Sequence, residues 1–357
     1  MGIPVDALSM SDAGNYILDA IASKSSTLLS TPNLNFMLLT KCDSEFQNSL
    51  IQSDLVTLDG VPLIWISKLL GINGLEKVSG SNLFEHLMKR QTNNPIRAYL
   101  FGGDKGIAHA AHSAINLSAS GVVSSGFNNP GFGTAEQLCS KQNLDKINKL
   151  QPDFLIISLG AQKGQEWLLR SRGQLDAPVK SHLGAVLNFS AGSVRRAPKV
   201  LQDLGLEWLW RIKEQPHLFK RYWADGIGLI HFVFTKVLPY ANLKRNSLKR
   251  LKSATAEQQY KFSYSFEQDG ATRMTIKLDG VLNYQNHRYM RQCFEKAAAY
   301  NEVILNMKDV KYIDEYGFGL ILLLLKYVGD NLKVTLYSDS VGKAFEYEGL
   351  AFMLSRG

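Results

Sequence analysis

Three times from residue 96 onward the chain repeats one local pattern, a short apolar run followed by a turn rich in glycine or small polar residues and then a helix-like stretch, and a fourth apolar run and turn follow. Ile96–Phe101 leads into Gly102-Gly103-Asp104-Lys105-Gly106 and a helix from Ile107. Val122–Phe132 carries the turn Gly126 to Phe132, and residues 134–150 read as a helix. Phe154–Leu159 runs into Gly160 to Trp167, and Val179–Phe189 reads as a last strand ahead of Ser190 to Pro198. Repeated strand, turn and helix units predict a parallel sheet with helices on both faces, a Rossmann-like α/β fold. Upstream, residues 11–30, 43–52 and 62–71 read as helices, the first with Ser11 as N-cap.

In an open α/β sheet, ligands sit in the crevice at the carboxyl ends of the strands. Ser53–Pro62 ends a β-branched apolar run in Asp59-Gly60, so Asp59 stands at such an end. An aspartate there can act as general base on a sugar hydroxyl. It can equally be a turn former or helix cap, and the stretch alone favours that plainer role. Gly102 and Gly103 open a helix whose backbone N–H groups can hold a phosphate, although the Gly-Lys-Ser/Thr ending of a P-loop is missing. His109 and His112 lie one turn apart without a third ligand and read as packing or surface residues.

At 357 residues the chain is long enough for two domains of roughly 100–200 residues each. Its three cysteines, Cys42, Cys139 and Cys293, fit no metal spacing and point to a reducing compartment without disulfides. The N-terminus, with Asp6, Asp12 and Asp19, lacks the basic region and apolar core of a signal peptide. Net charge is +8, and the segment from Glu207 to Lys252 holds ten Lys and Arg against three acidic residues, nearly the whole excess. Trp208, Trp210, Phe219, Tyr222, Trp223, Phe232 and Phe234 interleave with them, which suits an anionic surface, lipid or nucleic acid. No nucleic-acid-binding motif accompanies the charge, so no nucleic-acid partner is expected. Residues 207–225 read as an amphipathic helix. Gly226–Ala241 spans sixteen apolar-rich residues, short of the about 20 a membrane span needs, and reads as an in-plane or buried segment. Asn242–Gln258 reads as a linker. From Gln259 onward, strands alternating around Asp269-Gly270, then helix, strand, apolar helix, strand and helix predict a smaller α/β domain over 259–357.

The chain contains no Asp-x-Asp pair, the usual holder of a metal in sugar transferases. Without one, a leaving diphosphate must be met by guanidinium and amide groups, and Arg195, Arg196, Arg211 and Arg221 are candidates. Arg195-Arg196 can equally be a solvated basic face.

Taken together, Thr31-Pro32-Asn33, the Ser53–Gly60 run, Val78–Leu83, Phe101-Gly102-Gly103, the Gly160–Trp167 block, Arg195-Arg196-Ala197-Pro198 and Gly205–Arg211 resemble the WecG/TagA/CpsF family of glycosyltransferases over roughly residues 10–225. The resemblance implies an inverting, metal-independent enzyme with no cofactor. Its members move a sugar, often N-acetylmannosamine, from a UDP-sugar to a polyprenyl-diphosphate-linked sugar on the cytoplasmic membrane face, in surface polysaccharide synthesis. It casts Asp59 as base, Thr31 and Asn33 as the polar pair beside it, Gln165 as a pocket glutamine, and Arg211 and Arg221 as diphosphate holders in a membrane-associating appendage at about 205–241. The domain expected is therefore 1–241, followed by a linker over 242–258. Asn82 and Asn188 stand where the family usually has Asp, His217 stands where it has Arg, and Gln162 to Glu166 departs from its Pro-Lys-Gln-Glu run. These departures motivate a second reading, a catalytically degenerate fold acting as a regulatory module. The C-terminal domain resembles a STAS domain through Val303–Met307 and Asp314-Glu315-Tyr316-Gly317-Phe318-Gly319. Members switched by phosphorylation carry Asp-Ser-Ser-Gly there. Glu315 and Tyr316 replace both serines, which implies a docking or self-associating module without a serine switch.

Overall fold

The computed structural model describes residues 2–118, 121–253, 261–270 and 272–355. The chain divides into two compact units, one of residues 5–67 and 73–229, the other of residues 230–357 with two short N-terminal pieces, 1–4 and 68–72.

The first unit is built on a six-stranded sheet in the order β2-β1-β6-β5-β3-β4. Its strands are β1 (Thr27–Ser30), β2 (Leu55–Val56), β3 (Ile96–Gly102), β4 (Val122–Asn128), β5 (Phe154–Ser158) and β6 (Val179–His182). Every pairing is parallel. Side chains alternate across the sheet as the strand period of two requires. Leu29, Ala98, Leu100, Phe154 and Ile156 enter one core, with Ile17, Leu87, Ala111 and Leu187 from the helices Met10–Ser23, Gly80–Met88, Ile107–Leu117 and Gly184–Ser190. Leu28, Tyr99, Phe101, Leu155 and Ile157 enter the other, with Leu138, Ile147 and Trp167 from the helices Ala135–Leu138, Lys141–Lys149 and Ala161–Arg170. The expected doubly covered sheet is present.

Several boundaries differ from the sequence reading. The first helix starts on the Ser9 cap and ends at Lys24, whose φ of 53° is left-handed, which frees Thr27–Ser30 to be β1. The run Val179–Phe189 is a four-residue strand and then the Gly184–Ser190 helix, with Val186 and Leu187 buried. A continuous apolar run does not reveal by its period where a buried strand gives way to a buried helix. Residues 207–225 are two helices, Glu207–Glu214 and Phe219–Phe232, parted at Gln215-Pro216. Proline lacks the N–H and clashes with the preceding turn.

The second unit carries a four-stranded sheet ordered β10-β9-β8-β7. β7 (Phe262–Asp269) and β8 (Arg273–Leu282) form the antiparallel hairpin around Gly270, and β9 (Glu302–Ile313) and β10 (Leu332–Thr335) run parallel to β8. The helices His287–Ala297, Glu315–Val328 and Asp339–Glu348 complete it. The stretch expected as a linker is a helix, Leu238–Lys252, packed on β9 and the Asp339–Glu348 helix; residues 254–258 lie outside the described residues. Residues 230–241, grouped from sequence with the first domain, belong to this second unit. Among the described residues, no helix is long and apolar enough to cross a membrane.

Candidate functional site

β1 and β2 end side by side. Beyond β2 the chain stays extended, with Thr57 N–H donating to Ser30 O at 3.0 Å and Asp59 N–H to Pro32 O at 2.9 Å. This fixes Asp59 at the carboxyl edge, beside the Thr31-Pro32-Asn33 turn. Thr31 is buried, and Asn33 Oδ1 accepts from Phe36 N–H at 3.2 Å, capping the Leu34–Leu39 helix. Gly60, at φ 119°, passes close to the Asn33 side chain. The three residues matched from sequence as base and polar pair are thus brought together.

The Asp59 carboxyl is raised from its ordinary value to about 6. Burial is the first cause and the negative charge of Glu207 the second, while Lys77, Arg211 and Arg196 pull the other way. Lys77 reaches the site through a parallel bridge between Leu58 and Lys77, and its Nζ lies 3.7 Å from Glu207 Oε2. Arg211 lies one turn beyond Glu207 on the Glu207–Glu214 helix; its guanidinium sits 5.2 Å from the centre of the Phe189 ring, and its buried Nε has no protein partner among the described residues. Arg196 stacks on the same ring at 5.7 Å and donates to Glu85 and to Asn82 Oδ1. Asn82 therefore keeps an acceptor for Arg196 while giving up the charge an aspartate would bring.

The other candidate residues are placed differently. Arg195 is exposed, its carbonyl accepting from Trp210 Nε1 at 3.0 Å. Arg221 is exposed against the Tyr222 ring, and neither it nor Arg195 is among the charges acting on Asp59. Gln165 is 1 % exposed and donates to Ser30 Oγ at 3.0 Å, so its amide is held inside the sheet edge. Gly102 ends β3 and Gly103 N–H donates to Ser158 O at 2.7 Å; a side chain on Gly102 would begin 2.4 Å from that same oxygen. They share the carboxyl edge with Asp59, but β3 is four strands from β2, roughly 19 Å at the usual strand spacing. His109 and His112 both pack on Phe127, as packing residues do. Among the described residues no group of three or more His, Cys, Asp or Glu could hold a metal.

Sequence reasoning passed over Lys77, Glu85, Phe189 and His182. His182 ends β6, buried between Gly164 and Gly184, and its pKa is pushed down to about 4 by burial. A single lysine in a loop carries no local signal, and its role appears only when the bridge to Leu58 is known.

The sequence pattern of the glycosyl transferase WecG/TagA/CpsF family matches residues 1–243. The chain belongs to this family. The STAS domain pattern matches residues 265–338. A curated relative, the N-acetylglucosaminyldiphosphoundecaprenol N-acetyl-beta-D-mannosaminyltransferase of Bacillus subtilis (strain 168), is 24% identical over 201 residues, 56% of this chain and 77% of the relative. The protein of the same name from Staphylococcus aureus (strain NCTC 8325 / PS 47) is 23% identical over 160 residues, 45% of this chain and 61% of the relative. The anti-sigma factor antagonist SpoIIAA in its unphosphorylated form is 21% identical, covering 27% of this chain and 88% of its own, with a TM-score of 0.24. The WecG/TagA/CpsF pattern thus takes in the whole six-stranded unit, and the STAS pattern runs from within β7 to Ser338, just before the Asp339–Glu348 helix.

Proposed function

We propose that this chain is an inverting, metal-independent glycosyltransferase. It moves a hexose or N-acetylhexosamine, N-acetylmannosamine first among them, from a UDP-sugar to a polyprenyl-diphosphate-linked sugar. The observation that carries this reading is Asp59, a carboxyl at the sheet's carboxyl edge with a pKa of about 6, within the field of Lys77, Arg196 and Arg211. A carboxylate poised near the working pH suits proton abstraction, and cations around it suit a diphosphate.

In the transfer, the acceptor hydroxyl oxygen forms a bond to the anomeric carbon from the side opposite the nucleotide. The anomeric C–O bond to the diphosphate breaks with its electron pair going to UDP, and the hydroxyl proton passes to Asp59. Arg211, with a free Nε, and Arg196, once it exchanges Glu85 for phosphate, neutralise the diphosphate charge. Phe219, Trp223, Ile227 and Ile230 are exposed along one face of the Phe219–Phe232 helix, beside Lys220 and Arg221. Such a face lies in a membrane surface and supports peripheral attachment where a lipid-linked acceptor is found.

The test is an assay of UDP-sugars against a polyprenyl-diphosphate-sugar acceptor. Loss of turnover in Asp59→Asn with EDTA-insensitive wild type is the expected result; full turnover by Asp59→Asn, or activity abolished by EDTA, contradicts it. The second reading, a silent regulatory fold, is favoured by Arg196 and Gln165 being engaged within the protein. Calorimetry that detects no UDP-sugar binding would select it.

A further inference from the structure

Two side chains bear on Asp59 that no part of the transfer has yet used. Gly205, at φ 74°, packs so closely on Val61 that an added Cβ would lie 2.6 Å from Val61 Cγ2. Val61 is two residues beyond Asp59, so the start of the Glu207–Glu214 helix is seated on the Asp59 turn. From the other side, Val78 N–H donates to Leu58 O at 2.9 Å, which fixes Lys77 next to Asp59 in register. Lys77 and Glu207 then meet at 3.7 Å, both largely shielded from solvent.

We propose that Glu207 is a positioning residue for the Asp59 base, its carboxylate held beside the base by Lys77, so that Asp59 takes up the acceptor proton more readily. The proposal rests on the reading of Asp59 as base and deepens it. The charged groups facing Asp59 are Glu207 and Arg211 from the Glu207–Glu214 helix, Lys77 from the bridge and Arg196 from the turn after the Gly184–Ser190 helix, itself paired with Glu85. Glu207 favours the protonated carboxyl, and Lys77, Arg211 and Arg196 oppose it. A bound diphosphate neutralises those arginines. The opposition from the arginines is then removed while Glu207, still held by Lys77, goes on favouring the protonated carboxyl, and Asp59 becomes a stronger base when substrate is in place.

The test is carboxyl 13C titration of the full chain labelled at aspartate, with Asp59→Asn assigning the resonance, alongside kcat/KM against pH. In Glu207→Gln the Asp59 midpoint is expected to fall toward the ordinary carboxylate range. In Lys77→Met it is expected to rise, and Glu207→Asp is expected to restore part of the wild-type midpoint. The acid limb of kcat/KM should follow each shift. An unmoved Asp59 midpoint in both Glu207→Gln and Lys77→Met overturns the proposal whether or not sugar is transferred. Midpoints that move while the rate profile stays fixed overturn the base reading instead and leave the coupling in place.

Discussion

Asp59 sits where burial works against its own charge. Its pKa in the folded chain, about 6, lies above the 3.8 of a free aspartate. The folded state therefore binds the proton more tightly. Stability is greatest below about pH 4 for this group and declines as pH rises through about 6. Asp59→Asn should thus stabilise the chain at pH 8 by up to about 3 kcal/mol and do little at pH 4, read from urea unfolding at the two pH values. A residue kept at a cost in stability is what a functional site looks like. Gly164 gives a second residue-scale outcome. An alanine Cβ there would fall 2.2 Å from the His182 ring, which is buried, so Gly164→Ala should lower the melting temperature by several degrees. That Asp59, Thr31 and Asn33 lie together was legible only through the order of the family's motifs, because each taken alone reads as ordinary turn chemistry. Lys77 and the engagement of Arg196 by Asn82 and Glu85 were not, because they depend on contacts between residues far apart in the chain.

The elements were readable where glycine or a cap punctuated them and unreadable where apolar runs were continuous. The β7–β8 hairpin followed from Asp269-Gly270. Val179–Phe189 hid its change from strand to helix, and polar composition made the Leu238–Lys252 helix look like a linker. One of its lysines, Lys244, is put to use. Lys244 Nζ lies 2.7 Å from both Glu315 carboxylate oxygens and donates to Leu70 O at 2.8 Å, with 15% and 21% of the two side chains exposed. Glu315 is thus paired within the unit. Lys244→Met leaves that carboxylate shielded and unpaired, so it should destabilise the second unit by about 1–3 kcal/mol; Lys244→Met with Glu315→Gln should recover much of this, measured by denaturant unfolding.

For the whole chain, charge and apolar surface coincide. Most of the +8 net charge falls between Glu207 and Lys252, and the same stretch exposes Phe219, Trp223, Ile227 and Ile230. Sedimentation with anionic vesicles should recover the protein at low salt and less of it at high salt, because charge attraction is screened. Trp223→Asp with Ile230→Asp should abolish the salt-resistant fraction. Composition and motif order made the family and the second, smaller domain legible.

The most direct measurement is kcat/KM for sugar transfer to a polyprenyl-diphosphate-sugar acceptor from pH 4.5 to 9, in wild type and Asp59→Asn. Wild type should lose activity below about pH 6 with a slope of one proton, and Asp59→Asn should be at least about a hundredfold slower across the range. A wild-type rate that stays level through pH 5, or an Asp59→Asn rate close to wild type, would contradict the assignment of this carboxylate as the base.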